Sequence, residues 1–292
     1  MLLATRHRPP YRRTLLVLGR VSTLPTVWSH CLAGWLLGGG GAFIPFLLLT
    51  LGASCLYVAG MFLNDAFDAE FDRLHRKERP IPAGQITLDE VWQWGFGWLA
   101  LGTVILVVLG NTTGAWVAIL VICILLHDAI HKVIGFAPLL LAACRFFLYL
   151  VAASVADDGV TGLAIWSALV LAVYVTRLGY LARHEGSKAA VPLWPAYLLL
   201  APLLLSLLLN SGHYRLRALF LVVLLGLWLA RSVRLTYWVA DRNVSRSVSA
   251  LTAGLVLVDL LAVGSGESLA ISLLFGLLLV TALLFRRFAP EV

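Results

Sequence analysis

Residues 43–72 read FIPFLLLTLGASCLYVAGMFLNDAFDAEFD. The first 21, Phe43 to Leu63, contain no charged side chain. At a helical rise of about 1.5 Å per residue, a run of that length crosses the roughly 30 Å hydrocarbon core of a bilayer. Directly after it come Asn64, Asp65, Asp68, Glu70 and Asp72. The stretch predicts a membrane-crossing helix that ends in a cluster of acids.

The rest of the chain extends this pattern. Of its 292 residues 61% are hydrophobic and 13% charged, and mean hydropathy is +0.92, whereas soluble domains are about a quarter charged. Soluble, disordered, collagenous and disulfide-scaffold classes are excluded. Ten apolar segments are predicted as crossings, at about 14–38, 43–66, 88–109, 114–132, 137–155, 161–183, 192–210, 216–235, 247–264 and 268–286. The predicted fold is all-α, a polytopic transmembrane bundle of nine or ten helices in one domain spanning 1–292. No soluble domain, long linker or internal repeat interrupts it, and the first segment is too long for a cleaved leader.

The net charge of +7 is the trace of topology, not of nucleic-acid binding, because cations are retained on the cytoplasmic side of membrane helices. With the N-terminus inside, 17 of the 22 Lys and Arg fall on the cytoplasmic side, and only Arg215 and Arg217 on the other. Arg20, Arg145 and Arg177 lie within predicted helices. The acid cluster is cytoplasmic in this arrangement, and the short outer connections carry no candidate chemistry. Cys31, Cys55, Cys123 and Cys144 form no CxxC pair and read as packing residues.

On a helix Asn64, Asp68 and Asp72 stand at i, i+4 and i+8, with Asp65 three residues before Asp68, so three carboxylates and an amide are predicted to share one face. Such a face repels itself without a counter-ion. Mg²⁺ meets the need by taking one or two carboxylates and filling its octahedron with water and phosphate oxygens, which points to a diphosphate ligand. In the competing reading Asp68, Glu70 and Asp72 balance Arg73, Arg76, Lys77 and Arg79 on a solvated helix end. Ionisable groups at a membrane boundary favour the functional reading.

The pattern Asn64-Asp65-x-x-Asp68-x-x-x-Asp72, followed by Arg79-Pro80-Ile81-Pro82-Ala83-Gly84, resembles the first aspartate-rich motif and trailing loop of the UbiA superfamily of intramembrane prenyltransferases. Weaker similarity covers most of the chain: Arg20 in the first segment, Asp128 and Lys132 ending the fourth, and Gly179 to Glu185 ending the sixth. The resemblance implies a helical bundle around a central cavity, an allylic isoprenyl diphosphate donor held through Mg²⁺, and prenyl transfer to a small acceptor, expected to be aromatic. It implies a multi-pass protein of the cell inner membrane, with lipid around it and the site facing the cytoplasm. Asn64, Asp65, Asp68 and Asp72 are then the metal-holding residues, Asp68, Asp72 and Lys132 the catalytic ones, and Asn64, Arg20 and Arg145 contacts to substrate.

Two features depart from the family pattern. Its second aspartate-rich motif is replaced here by Arg183-His184-Glu185-Gly186-Ser187-Lys188. Either Glu185, helped by Asp128, completes a reduced metal site, or Arg183 and Lys188 supply fixed positive charge instead. Ten segments against the usual nine is the second departure. His127 and His131, at i and i+4, have no evident third ligand and read as a polar helix end. Lys132 is a point cation suited to a leaving diphosphate, and a charge as deep as Arg145 needs a partner or a wet cavity. The alternatives are an intramembrane terpene cyclase, or a non-catalytic or transport protein that has lost the second motif.

Overall fold

The computed structural model describes residues 10–186, 191–210, 212–239, 242–264, 266 and 268–288. Within them are twelve α-helices and no strand: α1 (Tyr11–Leu18), α2 (Leu24–Leu37), α3 (Phe43–Phe67), α4 (Ala69–His75), α5 (Leu88–Val107), α6 (Asn111–Ile130), α7 (Ala137–Ser154), α8 (Gly162–Ala182), α9 (Ala201–Leu209), α10 (Arg215–Tyr237), α11 (Val244–Val263) and α12 (Leu269–Phe288). Six of these, α3, α6, α7, α8, α10 and α11, are long and apolar enough to cross a membrane.

Helix starts follow local chemistry. Thr87 and Glu90 form a capping box on α5: the Thr87 hydroxyl accepts from the Glu90 N–H (3.3 Å), and the Glu90 carboxylate accepts from the Thr87 N–H (2.9 Å). Thr161 and Asn243 cap α8 and α11 through their side-chain oxygens. Large side chains such as Phe220, Leu227, Leu273 and Leu277 point outward from α10 and α12, as expected of helices facing lipid.

Two predicted crossings are not continuous. The segment expected over 14–38 breaks between α1 and α2, where Arg20 takes a left-handed backbone (φ 42°) and Val21–Thr23 form a 3₁₀ turn. Such a conformation costs a non-glycine residue about 1–2 kcal/mol, and the Arg20 guanidinium offsets this by donating to Asp65 Oδ1 at 3.0 Å. The segment expected over 192–210 divides into a 3₁₀ stretch, Trp194–Leu200, and the nine-residue α9. Pro195 and Pro202 each remove a backbone donor there.

α3 runs against α5 at the spacing of two glycines: a Cβ at Gly102 would lie 2.8 Å from the Gly52 carbonyl oxygen. One apolar core, with Val27, Leu49, Leu56, Leu63, Leu106 and Val117, joins α2, α3, α5 and α6. Another, with Leu171, Tyr174, Leu225 and Leu251, joins α8, α10 and α11. The two meet along α2 and α7. A polar tie is buried nearby: the His30 Nδ1 of α2 lies 2.7 Å from Asp259 Oδ2 of α11, to which Ser29 Oγ also donates, and all three residues are fully buried.

Candidate active site

Helices α2, α3, α6 and α7, with the end of α8, line a cavity of about 950 Å³. Ala53, Leu56, Leu120 and Leu148 form its apolar part, and Asn64, Asp68, Asp128, His131 and Lys132 its polar mouth. α3 delivers the acids. Asp68 ends α3 and begins α4, yet its backbone stays helical, with N–H bonds from Asp68 to Asn64 (3.0 Å) and from Asp72 to Asp68 (2.9 Å), so the side-chain register runs through the joint.

The predicted single acidic face is divided in two. Asn64 and Asp68 line the cavity, whereas Asp65 and Asp72 lie behind it, bridged by one guanidinium. Arg79 Nη1 donates to Asp65 Oδ1 at 2.9 Å and to Asp72 Oδ2 at 3.2 Å, and Asp65 also takes Arg20. Arg79 reaches them because the Pro80–Gln85 turn folds back, with the Gln85 N–H bonded to Pro80 O (3.0 Å) and Gly84 at φ 69°. Sequence reading had placed Arg79 only in a motif and among the topology cations. Its pairing spans fourteen residues and a loop, which helical periodicity does not reach.

Asp68 faces Lys132 and His131 from the α6 end. Lys132 Nζ lies 2.8 Å from Asp68 Oδ1 and 3.8 Å from the centre of the Phe71 ring, and His131 Nε2 lies 3.5 Å from the same oxygen. Burial by itself would raise the Asp68 pKa, but bonds from His131 and Lys132 hold it below the ordinary carboxylate value. For His131, burial works to lower the pKa, and the Asp68 carboxylate turns the balance upward. Thus His131, set aside in the sequence as a polar helix end, belongs to the site. His127 stacks on it with ring centres 5.3 Å apart and lines the same cavity.

Asp128 accepts from Asn64 Nδ2 at 3.4 Å through Oδ1. Its Oδ2, like Asp72 Oδ1, is buried without a hydrogen-bond partner. Arg145 lines the cavity two turns into α7, its guanidinium 5.6 Å from the Tyr57 ring centre. Arg20 lines it too, at the α1–α2 break and not inside a helix as predicted.

The replacement for the second acidic motif is not assembled as expected. Glu185 is exposed and lies outside the lining that Asp128 belongs to. Arg183 borders the cavity, but its donors go to backbone carbonyls of residues 131–135. Lys188 lies outside the described residues.

Among the described residues, no three His, Cys, Asp or Glu are gathered as a ready metal site. Arg20, Arg79 and Lys132 compensate the carboxylates instead. The donor set still suits a hard cation: Asn64, Asp68 and Asp128 line the same cavity, and Asp128 Oδ2 and Asp72 Oδ1 are buried without a hydrogen bond, the latter 3.9 Å from Lys132 Nζ.

The model of the UbiA prenyltransferase family matches residues 24–248 of this sequence. The chain belongs to the UbiA prenyltransferase family. Its fold is similar to that of an apo UbiA homologue from Aeropyrum pernix K1, with a TM-score of 0.62 and 15% identity, covering 82% of this chain and 95% of the other. A UbiA homologue from Archaeoglobus fulgidus bound to GPP and Mg²⁺ gives a TM-score of 0.51 and 14% identity over 94% of this chain and 86% of that one. A digeranylgeranylglyceryl phosphate synthase of Ignicoccus hospitalis is 32% identical over 103 residues, 33% of this chain and 34% of the relative. That match thus spans about a third of the relative's length. As a UbiA-family chain with six long apolar helices, this is an integral, multi-pass membrane protein.

Proposed function

We propose that this UbiA-family chain is a Mg²⁺-dependent prenyltransferase that moves an isoprenyl group from its diphosphate to a small acceptor within the membrane. The observation that carries the reading is the cavity itself, with buried acids and cations at its mouth and an apolar interior. The family match and the GPP–Mg²⁺ complex of the A. fulgidus homologue support it. The whole chain acts as one domain, in the cell inner membrane, with the mouth towards the cytoplasm.

In this mechanism Asn64, Asp68 and Asp128, on the cavity wall, would hold Mg²⁺, and Asp72 would join them once Arg79 turns to the diphosphate, Asp65 staying behind with Arg20. When bound, Mg²⁺ supplies charge neutralisation to the departing diphosphate. Lys132, Arg79 and Arg20, which compensate the acids in this structure, direct donors to the diphosphate oxygens and gain interaction as charge develops there. The allylic C–O bond breaks with both electrons leaving on diphosphate. The apolar wall of Ala53, Leu56, Leu120 and Leu148 shelters the allylic cation from water, and an acceptor nucleophile then bonds to that carbon and loses a proton. Acceptors of two kinds fit this scheme, a hydroxylated aromatic acid and a glyceryl phosphate.

The test is diphosphate release by purified protein in detergent from geranylgeranyl or farnesyl diphosphate, with Mg²⁺ or EDTA, and with acceptors of both kinds. Mg²⁺-dependent release that rises with one acceptor, and is lost in Asp68→Ala and Asp72→Ala, is the expected result. Full turnover in both variants sinks the assignment. Release without any acceptor, with a cyclised hydrocarbon as product, replaces it with a cyclase.

A further inference from the structure

Five residues after the end of α6 form most of the link to α7, and they carry His131 and Lys132. Lys132, Val133, Ile134 and Gly135 all border the cavity. The link sits at the C-terminus of a helix, where carbonyls lack intrahelical donors. Its N–H groups are partly satisfied, with Val133 and Ile134 both bonded to Ile130 O (3.0 and 3.2 Å). Three of its carbonyls are satisfied from another helix: Arg183 Nη1 donates to Gly135 O at 2.8 Å, and Arg183 Nη2 donates to His131 O at 3.0 Å and Ile134 O at 2.7 Å.

The geometry is built in from α8. One turn before Arg183, Gly179 meets Pro138 in the first turn of α7, where a Cβ on Gly179 would fall 2.9 Å from Pro138 Cβ. That close approach brings the α8 end beside the link. A guanidinium presents donors in a fixed planar fork, which suits several carbonyls at once, whereas a lysine ammonium is a compact charge on a flexible stem.

We infer that Arg183 is a positioning residue for the reaction proposed above: it clamps the 131–135 link so that Lys132 and His131 are held against Asp68. This rests on the prenyltransferase reading, and it assigns Arg183 a role unlike the direct diphosphate contact expected from the sequence. The clamp carries α8 packing in the C-terminal half to the acids on α3. A Lys132 misplaced by about 1 Å would be enough to lower turnover about a hundredfold.

The test compares Arg183→Lys and Arg183→Ala, each in the wild-type and the Lys132→Met background. Two readouts are taken: kinetics of diphosphate release, and amide hydrogen exchange at Val133 and Ile134 in protein free of donor and metal. The clamp predicts that both variants lower kcat, roughly 10- to 100-fold, with little change in donor KM and an unchanged melting temperature. It also predicts faster exchange in both, and no further loss when either is added to Lys132→Met. Charge acting directly on the diphosphate predicts the reverse: Arg183→Lys keeps its turnover and its protection, and the loss from Arg183→Ala adds to that of Lys132→Met. Either result overturns the clamp. If the wild-type protein releases no diphosphate, the proposed reaction fails while the exchange data still decide the clamp, faster exchange in both variants supporting it and unchanged exchange overturning it.

Discussion

Arg79 holds Asp65 and Asp72 together through one nitrogen. With the cation removed, two buried carboxylates repel one another and lose a charge-assisted donor. Arg79→Met is therefore expected to lower kcat/KM about a hundredfold or more, while Glu185→Ala, exposed and outside the cavity, changes it by no more than about twofold. Steady-state kinetics on the two variants check both expectations, and comparable losses would contradict the placement of Glu185. The Asp68–His131 pair adds a pH dependence in metal-free protein. Asp68 has a depressed pKa, so its contribution is present above the ordinary carboxylate range and is lost as pH falls through the depressed value. His131 has a raised pKa, and its contribution is complete below the ordinary value of 6.5 and lost as pH rises through the raised one. Melting temperature should fall as pH rises above 6.5, and His131→Gln should flatten that slope. Of these residues, the acids were legible from i, i+4 spacing. The partners Arg79 and His131 were not, because they come from a loop and from another helix.

Helices α2, α7 and α11 meet around a pair that has no route to water, His30 and Asp259. Losing one partner of a buried pair strands the other, at about 3–5 kcal/mol, whereas replacing both with apolar groups is often near neutral. Asp259→Leu should therefore destabilise the protein by about that amount, and His30→Leu added to it should restore much of the loss, as read by denaturant titration in detergent micelles. If the double variant is as unstable as the single, the pair is not acting as a unit. The sequence placed both residues inside apolar segments without linking them, since a contact 229 residues apart leaves no periodic signal. Element positions, in contrast, followed from apolar run length. The two interrupted crossings were misread because hydropathy is blind to backbone events: a left-handed Arg20 rewarded by Asp65, and prolines that deprive the stretch before α9 of helical hydrogen bonds.

Taken whole, the molecule is a bundle with its polar mouth at one end, and the lopsided distribution of Lys and Arg predicts which side that end faces. A cysteine at Arg76 should react with an impermeant maleimide only from the cytoplasmic side, and one at Asp158 only from the opposite side. Labelling of inverted and right-side-out vesicles decides it, and the reversed pattern would refute the predicted orientation. The sequence by itself determined the class, the positions of the uninterrupted helices, the membrane setting, the acid-bearing end of α3 and the resemblance to the family, because hydrophobic length, charge and short-range spacing are local properties of a chain. Only the tertiary structure decided which acids face the cavity, which cations hold them, that Arg183 is tied to the α6–α7 link, and that Glu185 is exposed outside the cavity lining. Each of those depends on side chains brought together from distant helices, where distance and burial, not sequence spacing, set the energy.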